Sequence, residues 1–285
     1  MDIPARPQAI RFLSLFALVV MVAVVLASLP VYLGAAPDYL TVLTPVFQWV
    51  PALAVLALHP LLRRRTGTWT LLGAAAVRGV RFGAVLRWSA VALAALVVVA
   101  GATLGISGAL GFAELRVAEG AFVALAFTLP VILVFMLFCL GEEAAWRGYL
   151  TTLLAPLGFV RTTALIGGLW ALWHLPLSIG LLVAGEMDGR DVVSKTVDLL
   201  LAAVFVSALR YLSGSVWPAV FAHAAFNNLF QMAYYNFMEP ATGLAEGAYW
   251  GHTAVSWAVW LVVDAVVLTW MVRSGRHRSP LPSGA

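Results

Sequence analysis

The chain has 285 residues, of which 62% are hydrophobic and only 11% charged, and its mean hydropathy is +0.96; a water-soluble globular chain carries about 25% charged residues. These proportions exclude a disordered chain, a disulfide scaffold and a nucleic-acid-binding protein, and they point to an all-α polytopic membrane protein. The net charge of +4 is the excess that a membrane chain places in its cytoplasmic loops against anionic headgroups, so no acidic partner need be invoked.

Apolar runs of about 20 residues bounded by charges, Pro and Gly predict eight spans, at 11–34, 39–62, 88–112, 121–149, 162–184, 196–213, 216–238 and 250–272. The first is too long for the core of a secretory signal and reads as a retained anchor. Between the second and third spans, the stretch 62–87 carries Arg63, Arg64, Arg65, Arg78, Arg81 and Arg87, which makes it cytoplasmic by the positive-inside rule. Both termini then face the cytoplasm as well. Fourteen of the 17 bases fall on that side, whereas Arg116, Arg190 and Lys195 fall outside together with most of the acids. The lone Cys139 lies in the fourth run as a small core residue, with no cysteine partner for a disulfide or a metal cluster. No repeat or linker interrupts the chain, so residues 1–285 form one membrane domain, followed from Arg273 to Ala285 by a tail.

Ionisable groups inside spans are costly, roughly 2.5–3.5 kcal/mol each, so each needs a partner or a function. In the fourth span, Glu142 and Glu143 are adjacent and Arg147 follows Glu143 by one turn, which puts Glu143 and Arg147 on one face and turns Glu142 about 100° away. The two acids are therefore suited to different roles, although the segment alone also reads, with less weight, as an interfacial ion pair. The fifth span holds His174 four residues after Trp170 and two before Pro176; alone, it is as readily a hydrogen-bond partner between helices. In the seventh, His223 and Asn227 lie one turn apart, two donors on one face suited to an oxyanion. Tracing the spans puts all three segments between the midplane and the cytoplasmic face, in a basin approached from the cytoplasm. A carboxylate and two imidazoles there suit attack of water on a carbonyl.

Taken in order, these segments resemble the CPBP intramembrane proteases, also called the Abi or CAAX-protease family, whose pattern is Glu-Glu-x-x-x-Arg, aromatic-x-x-x-His and His-x-x-x-Asn, each on its own helix. Here they are Glu142-Glu143-x-x-x-Arg147, Trp170-x-x-x-His174 and His223-x-x-x-Asn227. The resemblance covers residues 121–238, the core region of the motifs, and departs from the pattern in having Trp170 where Phe is commoner. It implies a glutamic-type endopeptidase that hydrolyses peptide bonds of membrane-anchored peptides or proteins near the cytoplasmic side of the bilayer. Glu142 would be the general base and His174 would orient the water. His223 and Asn227 would stabilise the oxyanion, with Glu143 and Arg147 as a supporting ion pair.

No cofactor is expected on this reading. The alternative is zinc held by Glu142, His174 and His223, against which stand the lack of a His-Glu-x-x-His motif and the presence of Asn227 where a third strong ligand is wanted. A haem between His174 and His223 leaves Glu142 and Asn227 without a role. A proton-coupled carrier also uses intramembrane Glu and His, but the chain has no repeated halves; a non-catalytic immunity or chaperone-type membrane protein predicts that Glu142 is dispensable. Sixteen of the 17 bases are arginine, a bias of GC-rich coding, so the expected location is a bacterial cytoplasmic membrane. His59, His252 and His277 are expected to be interfacial or solvated, and Asp264 to bond within helix packing.

Overall fold

The computed structural model describes residues 4–36, 38–66, 70–78, 81–239 and 243–278. The expected tail is thus described only to Arg278, and the side chains of Arg63, Arg64 and Arg65 lie outside the described residues. Helix α1 (Arg6–Tyr32) starts on Pro7, whose missing N–H is no loss in a first turn. It buries Phe12, Phe16, Val20 and Val24 at four-residue spacing and turns Leu18, Val22 and Leu26 outward. A narrow buried stripe with apolar residues all round is the pattern of a helix that faces hydrocarbon rather than water.

The second expected span is broken into α2 (Tyr39–Phe47) and α3 (Val50–Thr66). Pro51 sits in the first turn of α3, where it cannot donate to the carbonyl of Phe47 and its ring crowds that carbonyl. Against this break runs α6 (Ala121–Glu143). A Cβ at Gly141 would lie 2.6 Å from the Gln48 carbonyl oxygen and 2.6 Å from Trp49 Cα. Gly141→Ala is therefore expected to cost about 1–3 kcal/mol, read as a lowered unfolding midpoint in detergent; an unchanged midpoint would show that the two backbones are not held in contact.

The Arg-rich stretch is not wholly a polar loop. Its short α4 (Leu71–Ala74) leads into Ala74, Ala75 and Ala76, all buried. A Cβ at Gly148 would strike the Ala75 backbone, and the Ala76 and Val77 carbonyls accept hydrogen bonds from Val216 N and Trp217 Nε1, both at 3.2 Å. Next comes α5 (Phe82–Ala109). After Glu143, α6 continues as a π-helical segment, Ala144–Leu150, and one turn of α7 (Thr151–Leu153). Then follow α8 (Gly158–Val183), α9 (Gly189–Ser213), α10 (Trp217–Phe237) and α11 (Glu246–Arg273).

Helix α9 begins seven residues before the expected start at 196, because Asp188 caps it. Its Oδ1 accepts from Arg190 N at 2.9 Å and Asp191 N at 3.1 Å, and Asp191 Oδ2 accepts from Asp188 N at 3.0 Å, a reciprocal capping box that outweighs the polarity of the first turns. Seven helical segments among the described residues are long and apolar enough to cross a membrane. The eighth long helix, α10, is not one of them, since it carries His223, Asn227, Asn228, Gln231 and Asn236. It packs against α5, α6 and α9, and His223, Asn227, Asn228 and Gln231 line an internal cavity, so its sequence need not be apolar on every face.

Candidate active site

The pairing of α6 with α10, and of the π-helical segment with α8, brings the motif residues together. Glu142 and Glu143 are both buried, at 1% and 0% exposure. Glu143 Oε1 accepts from Arg147 Nη1 at 2.8 Å and from His223 Nδ1 at 2.9 Å. Glu142 Oε2 instead accepts from the indole Nε1 of Trp170 at 2.7 Å. The adjacent acids therefore have separate partners. The Arg147 guanidinium, wholly buried, also lies 4.1 Å from the centre of the Trp170 ring, a cation–π contact on the face whose edge serves Glu142.

Both imidazoles have one nitrogen committed. His174 Nδ1 lies 2.7 Å from the Trp170 carbonyl oxygen. A carbonyl only accepts, so Nδ1 carries the proton and the neutral ring keeps a lone pair on Nε2. By the same logic His223 Nδ1 donates to Glu143, and its Nε2 becomes a donor only in the doubly protonated ring. Trp170 stacks edge-on against both, with ring centroids 5.5 Å from His174 and 5.2 Å from His223. Asn227 has a distant contact, Nδ2 to Cys139 Sγ at 4.0 Å.

Glu142, His174, His223 and Asn227 line one cavity of about 740 Å³, whereas Glu143 and Arg147 are not on its wall. Three charged groups that the sequence reading missed line the same cavity, namely Asp191, Lys195 and Asp198 on α9. Their spacing of four and three residues was a readable signal of one helix face, hidden by starting the helix at 196. Asp191 Oδ1 accepts from the Tyr249 hydroxyl at 3.0 Å, and Asp198 Oδ1 from Trp257 Nε1 at 2.9 Å. The role of Trp170 as a donor was also missed; tryptophan is the one apolar aromatic side chain with an N–H.

Beyond Glu142 and His223 the cavity wall continues along late α1 at Ser28, early α2 at Leu40 and late α10 at Tyr234, and it ends at Met187 and Asp191 beside the start of α9. Those positions lie toward the end of the bundle opposite the Arg-rich stretch.

Other residues differ from expectation too. His59 is buried with Nδ1 3.0 Å from the Tyr149 hydroxyl, and His252 is buried with Nδ1 3.0 Å from Ser107 Oγ, so neither is interfacial; His277 is half-buried. Arg210, counted among the cytoplasmic loop bases, is fully buried and donates to the Arg147 carbonyl at 3.1 Å and to Thr152 Oγ1 at 3.3 Å. Asp264 is buried on α11, but its Oδ1 has no hydrogen-bond partner among the described residues. Among the described residues no group of three or more His, Cys, Asp or Glu side chains is placed to hold a metal ion.

Fold and site together define an integral membrane protein of helices whose interior holds a carboxylate and two imidazoles on the wall of a cavity. Residues 124–229, spanning α6 to α10, match the model of the family described as Rce1-like, type II CAAX prenyl endopeptidase, which is the family that the motifs resemble. No curated protein matches the chain. The family is one of peptidases that act on membrane-associated proteins.

Proposed function

We propose that this protein is an intramembrane endopeptidase of the glutamic type, located in a bacterial cytoplasmic membrane and acting on membrane-anchored peptides or proteins. One observation carries the reading. Glu142, His174, His223 and Asn227 share the wall of one cavity, while Glu143 is withdrawn behind it onto Arg147 and His223.

With Oε2 held by the Trp170 N–H, Glu142 has Oε1 left to accept a proton. A water that donates one hydrogen to Glu142 and the other to His174 Nε2 presents its lone pair to a peptide carbonyl. Attack forms the C–O bond and moves the carbonyl electron pair onto oxygen. That oxyanion is met by the Asn227 amide N–H and by His223 Nε2–H, the latter as an imidazolium whose charge Glu143 balances. Collapse restores the carbonyl and breaks the C–N bond, and the departing amine takes the proton that Glu142 had accepted.

Cleavage of a panel of membrane-anchored peptides by the purified protein tests this reading. Hydrolysis that is lost in Glu142→Gln and unaffected by a strong zinc chelator supports it; loss on chelation moves His174 and His223 to metal ligands. Hydrolysis that survives in Glu142→Gln sinks it.

Trp170→Phe gives a further prediction. It keeps the ring edges against both imidazoles but removes a donor to Glu142, a charge-assisted bond worth about 1.5–3 kcal/mol. A roughly 10- to 100-fold fall in kcat/KM is expected, mostly in kcat. Unchanged kinetics would show that Glu142 is positioned without the indole.

A further inference from the structure

The two ends of the bundle are built from different charges. One end gathers the start of α1, residues 70–78 and 81–82, the joins 150–158 and 213–217, and the end of α11; the contacts of Gly148 with Ala75 and of Val216 with Ala76 tie these segments together. The opposite end gathers residues 33–36, 38, 109–121, 184–189, 237–239 and 243–246. It is tied by the ion pairs Arg116–Glu239 at 3.3 Å and Arg190–Glu246 at 3.4 Å and by the Leu115–Met238 bridge. Among the described side chains, Arg6, Arg11, Arg78, Arg81, Arg87, Arg161 and Arg273 are exposed at or near the first end, and the second carries most of the acids, among them Asp38, Glu114, Glu119, Glu186 and Asp188. Such an asymmetry orients a polytopic chain with its basic end in the cytoplasm.

The cavity is asymmetric in the same frame. Its floor, at Glu142 and His223, is nearer the basic end, His223 being six residues into α10. Its wall then runs to Met187 and Asp191 at the acidic end, and none of its lining residues comes from the segments that form the basic end. We propose that the cavity is entered from the non-cytoplasmic side, so that its substrates are polypeptide segments exposed on, or anchored in, the outer leaflet after translocation. The word substrate rests on the peptidase reading; the direction of entry does not. Proteins anchored to the cytoplasmic leaflet are then poor candidates, since their cleavage sites would meet the closed basic end.

The natural chain supplies its own blank for thiol labelling, because its one cysteine, Cys139, is buried. Glu186→Cys places a thiol on the exposed loop at the entrance, Met187→Cys one on the cavity wall, and Arg276→Cys one at the basic end. A membrane-impermeant maleimide is expected to label Glu186→Cys and Met187→Cys at least tenfold faster in spheroplasts than in inverted vesicles, and Arg276→Cys with the opposite preference. The reverse preference, or all three thiols on one side, overturns the proposal. If Glu186→Cys is labelled from outside while Met187→Cys resists on both sides, the entrance is closed and the proposal also fails. A separate arm reads hydrolysis of an added membrane-anchored peptide, expected in spheroplasts and not in sealed inverted vesicles. Labelling as expected without Glu142-dependent hydrolysis on either side would count against the peptidase reading and leave the direction of entry standing.

Discussion

Glu142→Gln is expected to abolish peptide hydrolysis, with a fall of about 10²–10⁴ in kcat, the range contributed by a general base. The substitution is chosen for what it keeps. An amide in place of the acid would retain a side-chain oxygen to accept the Trp170 N–H now 2.7 Å from Glu142 Oε2, and its volume is nearly the same, so the buried site has no cavity to collapse into. It cannot take the proton from a water. The unfolding midpoint in detergent is expected to stay within about 2–4 °C of the natural protein, since a change of roughly 1 kcal/mol moves the midpoint of a chain this long by no more than that. A non-catalytic immunity or chaperone-type protein would keep its function in this variant, and equal hydrolysis by both proteins would remove Glu142 from the mechanism.

Arg147→Met is expected to have the largest effect on stability. Arg147 and Glu143 are both fully buried and bonded at 2.8 Å, and removing one partner of such a pair leaves an uncompensated charge, at a cost of about 3–5 kcal/mol. The Arg147 carbonyl also accepts from Arg210, but that bond belongs to the backbone and survives the change. Adding Glu143→Gln removes the orphaned charge, so the double variant is expected to recover most of the lost stability, since neutral side chains of similar volume often replace a buried pair at little cost. Hydrolysis is not expected to recover with it. His223 would still donate Nδ1 to the amide oxygen, but the carboxylate that balances its imidazolium would be gone, and a fall of at least about tenfold is expected for a lost charge-assisted bond. Thermal unfolding and cleavage measured on the same preparations separate the two effects; a double variant no more stable than Arg147→Met would show that the cost lies in packing against Trp170 instead of in charge.

Much of this protein is determined by its sequence alone. Runs of about 20 apolar residues define a helical membrane protein because lipid leaves no other partner for backbone N–H and C=O groups. The i,i+4 spacing of Glu143 and Arg147 separates the partners of two adjacent acids, and the three motifs, in order, lie in the segment that matches the family model. These are local properties, written in the period of one helix. Tertiary structure decided what depends on residues far apart in the chain. Trp170 is 28 residues from Glu142, and His223 is 80 from Glu143, so no helical period could foretell that the indole holds one acid and the imidazole the other. Packing against α5, α6 and α9, with polar residues on the wall of an internal cavity, lets α10 sit in the bundle although it is too polar for lipid, and partners on other helices bury His59, His252 and Arg210, which composition had placed at the surface. The direction of the cavity is of the same kind. A helix sequence reports which face is polar and which end is basic; where the empty space between several helices opens is decided by their packing.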